Sequence, residues 1–360
     1  MKSACKVLGL SVAMRRSLTA AVGSPSLKDA GTPCGRRIGL WFDRWMVESP
    51  QLLSMILQNF NHATIGGLKW DFISKTPDAF DFRATDWQVE FCKQHGMTMH
   101  GHNLCWNAAY PRWLPGALTA ANAQQILTSH ISTVMKRYKG SITSYDVVNE
   151  PIAAWQGRAD GLYTGPWLTA LGPDYIDIAF HAAFDADPSA LRVLNTAHVE
   201  QNGKGDDLAR SKTLDLVRGL VKRGVPIQAV GLESHLFATA GSGPDKNRDA
   251  FIAALRDLGL KILITELDVN DTQVGGSVAA RDQAVAACYS DYLRSMLPVA
   301  NPPWVTFFCY TDLKNWYELV KGPQYTRLDG TPHRPGLLDP LFGPKPAYDS
   351  VLAALRDTCH

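Results

Sequence analysis

From Arg36 onward the chain alternates short apolar runs with longer amphipathic stretches. Runs of strand type are Arg37 to Phe42, Ala63 to Gly66, Met97 to His102, Ile142 to Val148, Leu191 to Thr196, Ala229 to Leu232, Lys261 to Thr265 and Trp304 to Phe308. Between them lie amphipathic stretches of helical type, among them Ala121 to Tyr138, Ile176 to Ala186, Thr213 to Arg223, Arg248 to Leu258 and Val278 to Met296. Eight strands, each followed by a helical pattern, predict an α/β protein with a single-domain (β/α)8 TIM barrel. No shift of composition and no Pro/Gly/Ser linker divides the alternation. Gly322 to Pro346, rich in proline and glycine, reads as a long loop before a closing helix over Ala347 to Arg356. An open doubly wound sheet is the runner-up, but no glycine-rich phosphate loop follows the first strand.

Two of the apolar runs end in glutamate. Val147 and Val148 lead into Asn149 and Glu150, and Ile262 to Thr265 lead into Glu266. In a barrel of parallel strands these ends open onto one face, where the loops form a cleft. A pair of carboxyl groups meeting there is what cleavage of a glycosidic bond needs.

Composition narrows the field. A net charge of +2 supplies no basic field for nucleic acid. No apolar run approaches the roughly 20 residues of a membrane span. Ten tryptophans and eleven tyrosines suit sugar faces, although most of them read as core and rim packing. Seven cysteines without a CxxC pair argue against a zinc site or a disulfide scaffold. Cys92, Cys105, Cys288 and Cys309 lie among apolar neighbours as buried thiols. Cys34 and Cys359 flank the folded part and could bridge the chain ends. Residues 1–30 read as a tail outside the fold, ahead of a catalytic domain over 31–360. Lys2 and Lys6, then Arg15 and Arg16, precede weakly apolar segments that look like a degenerate or truncated export signal. A secreted or periplasmic location follows from that reading.

The strings FDF, HGMTMHGHNLCW, YKGSITSYDVVNEP, AFHAAFDADP, GVPIQAVGLESHL, ITELDV, TDLKNW and KPAY occur in order on the expected strands. With them the chain resembles glycoside hydrolase family 10, the endo-β-1,4-xylanases, from Arg36 to about Ala354. The resemblance implies that Glu150 is the general acid/base and Glu266 the nucleophile. It implies that Asn149 bonds the sugar 2-hydroxyl, and that His235 and Asp268 orient the nucleophile. Lys69, His102, Trp106 and Trp316 match positions that line or cover the sugar. Without the resemblance, the HxH pair of His100 and His102 would suggest metal ligation, but no third ligand of suitable spacing follows. An isolated lysine or glutamate at such a position is ordinarily a solvated or salt-bridged residue, and a lone tryptophan a core one.

Several positions depart from the family's pattern. Its Glu-Asn pair, which holds the sugar one unit upstream, is replaced by Ile65, Gly66 and Gly67. Asn107 stands for a histidine, Glu233 for a glutamine, and Phe308 and Cys309 for a tryptophan and glycine. The NDYN string reads Asn195, Thr196, Ala197 and His198. Lost polar contacts shift specificity. Glu233 adds a third carboxyl beside the other two and predicts a displaced pH profile.

The expectation is therefore a retaining, monomeric hydrolase of β-1,4-xylosidic bonds that needs no metal or organic cofactor. Its partner is a β-linked oligo- or polysaccharide, not nucleic acid or a membrane. A β-glycosidase for another glycan or plant glycoside keeps the same chemistry. A non-catalytic carbohydrate-binding barrel and a metal-dependent hydrolase remain as further alternatives.

Overall fold

The computed structural model describes residues 26–320 and 322–359. Eight parallel strands close into a barrel: β1 (Arg37–Trp41), β2 (His62–Ile65), β3 (Thr98–Gly101), β4 (Ser144–Asn149), β5 (Leu191–Thr196), β6 (Ala229–Leu232), β7 (Lys261–Asn270) and β8 (Trp304–Phe307). Each pairs with its sequence neighbours, and β8 returns to β1 through Arg37↔Trp304 to Leu40↔Phe307. The barrel is the one the alternation predicts, with strand boundaries displaced by at most two residues except in β7, which runs past the expected Thr265 to Asn270. Two short extensions at the strand tops lie outside the sequence pattern. Cys105–Trp106 pairs with β4, and His235–Phe237 pairs with β7.

Helices cover the outer face. The predicted ones are present, and the stretch expected from Thr213 begins earlier, as a helix over Lys204–Lys222. Pro50–Asn59 and Arg83–Gln94 add two more, each with an apolar stripe turned inward: Leu52 and Ile56 on the first, Val89 and Cys92 on the second. The main apolar core lies between barrel and helices, which is why the strands read as continuous hydrophobic runs.

The barrel interior differs in character along its axis. At the N-terminal end Val193, Ala229, Leu263 and Trp304 form a small apolar plug. Above it come buried polar side chains from β2, β3 and β4. His62 Nδ1 lies 2.8 Å from Thr98 Oγ1, and His100 Nδ1 lies 2.8 Å from Ser144 Oγ. Gly39 leaves room for this column: a Cβ there would stand 2.7 Å from the His62 ring.

The expected tail boundary at residue 30 needs correction. Ser26 caps a short helix over Leu27–Gly31, accepting from the Asp29 N–H while the Asp29 carboxylate accepts from the Ser26 N–H. Leu27 is fully buried, so this segment packs as part of the domain. A disulfide joins Cys34 to Cys359, with Cα atoms 5.3 Å apart. The export-signal reading falls on residues 1–25, outside the described residues. Among the described residues no helix is long and apolar enough to cross a membrane.

Candidate active site

A cavity of about 1080 Å³ opens at the C-terminal ends of the strands. Glu150, Glu266, Asn149, Lys69, His102, Trp106, Glu233, His235 and Trp316 all line it. Asp268 is fully buried behind them.

Backbone hydrogen bonds continue the ladder above the regular strands and hold these residues side by side. Glu150 N–H donates to Asn195 O (2.9 Å), Glu233 N–H to Thr196 O (3.0 Å), and Glu266 N–H to Glu233 O (3.0 Å). Pro151 lacks an N–H and ends β4 at this point. Glu150 takes a positive φ of 46°, a left-handed conformation that is uncommon for a residue with a side chain and recurs at functional sites.

The two glutamates sit in different surroundings. Glu150 Oε2 accepts one hydrogen bond, from Trp106 Nε1–H at 3.0 Å. Burial, reinforced by the negative charge of Glu266, pushes its carboxyl up to about 7. Glu266 Oε1 accepts from Asn195 Nδ2–H at 2.8 Å, and Oε2 lies 3.4 Å from His235 Nε2. Burial acts to raise Glu266 too, but the charge of His102 and the hydrogen bond and charge of His235 outweigh it and hold it below the ordinary value.

Asp268 maintains that cation. Its carboxylate lies 2.8 Å from His235 Nδ1 and accepts Trp316 Nε1–H (2.6 Å), Tyr317 O–H (2.6 Å) and Cys309 S–H (3.3 Å). Burial disfavours a charged His235, yet the charge and hydrogen bond of Asp268 prevail, helped by Glu266, and raise the imidazole to about 10. Trp316 thus has its indole N–H tied to Asp268 while its ring lines the cavity.

His100 and His102 stand two residues apart and point the same way. His100 Nε2 and His102 Nδ1 each lie 2.9 Å from Asp146 Oδ2. Burial opposes the ionised Asp146, but the two histidines bring its carboxyl down to about 2. Asp146 and Ser144 thus take three of the four ring nitrogens of the HxH pair, and His102 Nε2 faces Asn103 Nδ2 at 3.4 Å.

Where the resemblance expects a Glu-Asn pair, the upstream wall is apolar. Ile65 is buried, and a Cβ on Gly66 would fall 2.0 Å from the Trp41 ring. The indole of Trp41 fills the notch left by the missing side chain. It packs edge-on against His102 (5.6 Å) and tilted on Phe308 (4.6 Å). Lys69 Nζ lies 5.1 Å from the Trp41 ring and 5.2 Å from the Trp106 ring, between two aromatic faces. Asn107 turns away to accept the Trp167 N–H (3.1 Å) and donate to Tyr163 O (3.3 Å).

Asp146, Asn195, Tyr317, Glu200 and Trp41 are parts of the site or its support that the residue pattern did not single out. Asp146 carried a usable signal, since it lies four residues before Glu150 on one strand. Asn195 kept its identity in an otherwise altered string. Glu200 accepts the Val199 N–H (2.8 Å) and the Ser234 N–H (2.9 Å), and so ties the segment after β5 to the turn between Glu233 and His235. Burial raises its carboxyl to about 7.

Known proteins share this arrangement of strands. The description of Glycosyl hydrolase family 10 matches residues 26–354. Endo-1,4-beta-xylanase 3 of Hypocrea jecorina is 28% identical over 316 residues, covering 87% of this chain and 81% of that protein. Endo-1,4-beta-xylanase A of Xylanibacter ruminicola reaches 34% over 61% of this chain and 58% of its own length. The structure of native xylanase10C from Cellvibrio japonicus superposes with a TM-score of 0.82 at 26% identity, over 93% of this chain and 73% of that one. An intracellular xylanase from Thermoanaerobacterium saccharolyticum, solved with xylotetraose, gives 0.78 at 27% identity over 91% and 98%. With the match running from the capped first helix to the closing one, the chain belongs to glycosyl hydrolase family 10 and is a glycoside hydrolase.

Proposed function

We propose that the protein cleaves β-1,4-xylosidic bonds in xylan or xylooligosaccharides by a retaining double displacement. Glu266 attacks the anomeric carbon while Glu150 protonates the departing oxygen. Glu150, now a base, takes a proton from water as that water releases the sugar from Glu266. The observation that carries this reading is the divergence of the two carboxyls. Glu150 is pushed up to about 7, where an acid keeps its proton near neutrality, while Glu266 stays ionised beside His235. Asn149 and Lys69 are assigned to sugar hydroxyls, His102, Trp106 and Trp316 to the walls around the ring, and Asp268 to orienting His235. The similarity to xylanases supports the choice of xylan.

The test is the anomeric configuration of the first product, read by proton NMR during hydrolysis of a xylooligosaccharide. Initial release of the β-anomer is expected; initial α-anomer would discard the double displacement.

One observation favours a second substrate for the same chemistry. Trp41 replaces polar upstream contacts with an aromatic wall, which suits a different glycoside. Product profiles on xylan, xylooligosaccharides and aryl glycosides separate the two. The disulfide between Cys34 and Cys359 fits export to an oxidising compartment, which fractionation of the native host would check.

A further inference from the structure

Asn195 holds the centre of the site with more acceptors than hydrogens. Its Nδ2 lies 2.9 Å from Asn149 Oδ1, 2.8 Å from Glu266 Oε1 and 3.3 Å from Glu233 Oε1. The amide orientation follows from its other side, where Thr265 Oγ1 lies 2.7 Å from Oδ1. An NH2 group carries two hydrogens, and the two short contacts take them. Glu233 is left with the longest contact and no other protein donor among the described residues. It is 2% exposed, and its carboxyl oxygen stands within 4.8 Å of a Glu266 oxygen. Charged neighbours press on it from several elements: Glu150 and Asp146 from β4, Glu200 from beyond β5, and Glu266 from β7, with His235 on the continuation of its own strand. His235, a cation within 4.8 Å, favours the ionised form, but burial and the four carboxyls oppose it. A buried carboxylate with no close donor is then costly, whereas a protonated one supplies its own donor.

We propose that Glu233 works as a neutral carboxylic acid, a hydrogen-bond donor that positions the sugar bound between Glu150 and Glu266, and that its ionisation closes the site. No protein group reaches its second oxygen among the described residues, and the side chain lines the cavity, so that oxygen is free for a sugar hydroxyl. Burial and then the charges of Glu150 and Glu266 raise Glu233 well above the ordinary carboxyl. The turnover arm of the test rests on the hydrolase reading; the other two arms do not.

The first arm compares pH profiles of kcat/KM for the wild type and Glu233→Gln. A neutral Glu233 leaves the Glu150 midpoint where it is in the variant. In the wild type the alkaline limb steepens from about tenfold to about hundredfold per pH unit, because two protons are then required. In the variant it stays near tenfold. Equal final slopes overturn the proposal, and so does a Glu150 midpoint that falls in the variant, the mark of a negative charge removed.

The second arm reads melting temperature against pH in the same pair. A carboxyl whose folded pKa is raised stabilises the fold below its unfolded pKa of about 4.3, and loses that contribution as pH rises through the folded value. The wild type should therefore decline relative to Glu233→Gln over that interval. Parallel curves overturn the proposal. The third arm needs no variant. The infrared band of a protonated carboxyl should persist in the wild type above the pH at which Glu150 and Glu200 ionise, and its absence there counts against the neutral acid.

Discussion

Glu150 and Glu266 are the same side chain at the tops of two parallel strands, yet their surroundings drive the proton in opposite directions. Around Glu150 there is one donor, the Trp106 indole, in a partly open aromatic corner. Around Glu266 there are Asn195, His102 and His235, with Asp268 behind. Burial acts on both, so burial alone cannot separate them. What separates them is whether cations and donors repay the desolvation of the charged form.

The largest test of this contrast removes either carboxyl. Glu150→Gln and Glu266→Gln should each lower turnover of xylooligosaccharides by about a thousandfold or more. Xylooligosaccharide binding, measured by calorimetry, should survive. A variant that still turns over freely breaks the assignment of its carboxyl.

Asp268→Asn attacks only the Glu266 side. With the charge behind it gone, His235 holds its proton less tightly and Glu266 rises. On the proposed double displacement Glu266 attacks as the ionised form, so the acid limb of kcat/KM should move to higher pH. A loss of about tenfold to hundredfold is expected at neutral pH. An unmoved acid limb would show that the Asp268–His235 pair does not set the charge of Glu266.

On the other side, the alkaline limb of the wild type should begin near pH 7, because the protonated form of Glu150 disappears as pH rises through that value. Activity then falls about tenfold per unit. Trp106→Phe removes the single donor to the ionised form and should push that midpoint upward. A fall instead would mean that the indole favours the acid form.

Gly66→Ala probes the upstream wall. The new methyl would overlap the Trp41 ring, so the ring must move, at a cost of about 1–3 kcal/mol in stability. The Michaelis constant for xylooligosaccharides should rise several-fold; an unchanged constant would take Trp41 out of the binding surface. The smallest effect on activity belongs to the disulfide, which spans 325 residues of sequence far from the carboxyls. Reduction should lower stability by about 2–4 kcal/mol in chemical denaturation and leave turnover at moderate temperature alone.

Much of this was legible in the residue pattern. Alternating apolar runs and amphipathic stretches predicted the barrel because a strand buried on both faces leaves a continuous hydrophobic signature. Glu150 and Glu266 stood out because each closes such a run. Trp41 was not singled out although it too closes a strand, because its ring reads as core packing until the approach of Gly66 across the neighbouring strand gives it a place in the cleft. The two extensions at Cys105–Trp106 and His235–Phe237 are too short to register as periodicity. The tail boundary was drawn too late because the five-residue helix at Leu27–Gly31 depends on a cap and on packing against the closing helix.

Periodicity along the chain therefore determined the fold class and the pair of carboxyls, since these depend on local order and on the handed closure of parallel strands. The protonation state of each acid, the sharing of Asn195 between three acceptors, and the seating of Trp41 over Gly66 were decided only in three dimensions. Desolvation, charge and contact act through space between residues as far apart in sequence as Asp146 and Glu266, and spacing along one strand carries no record of them.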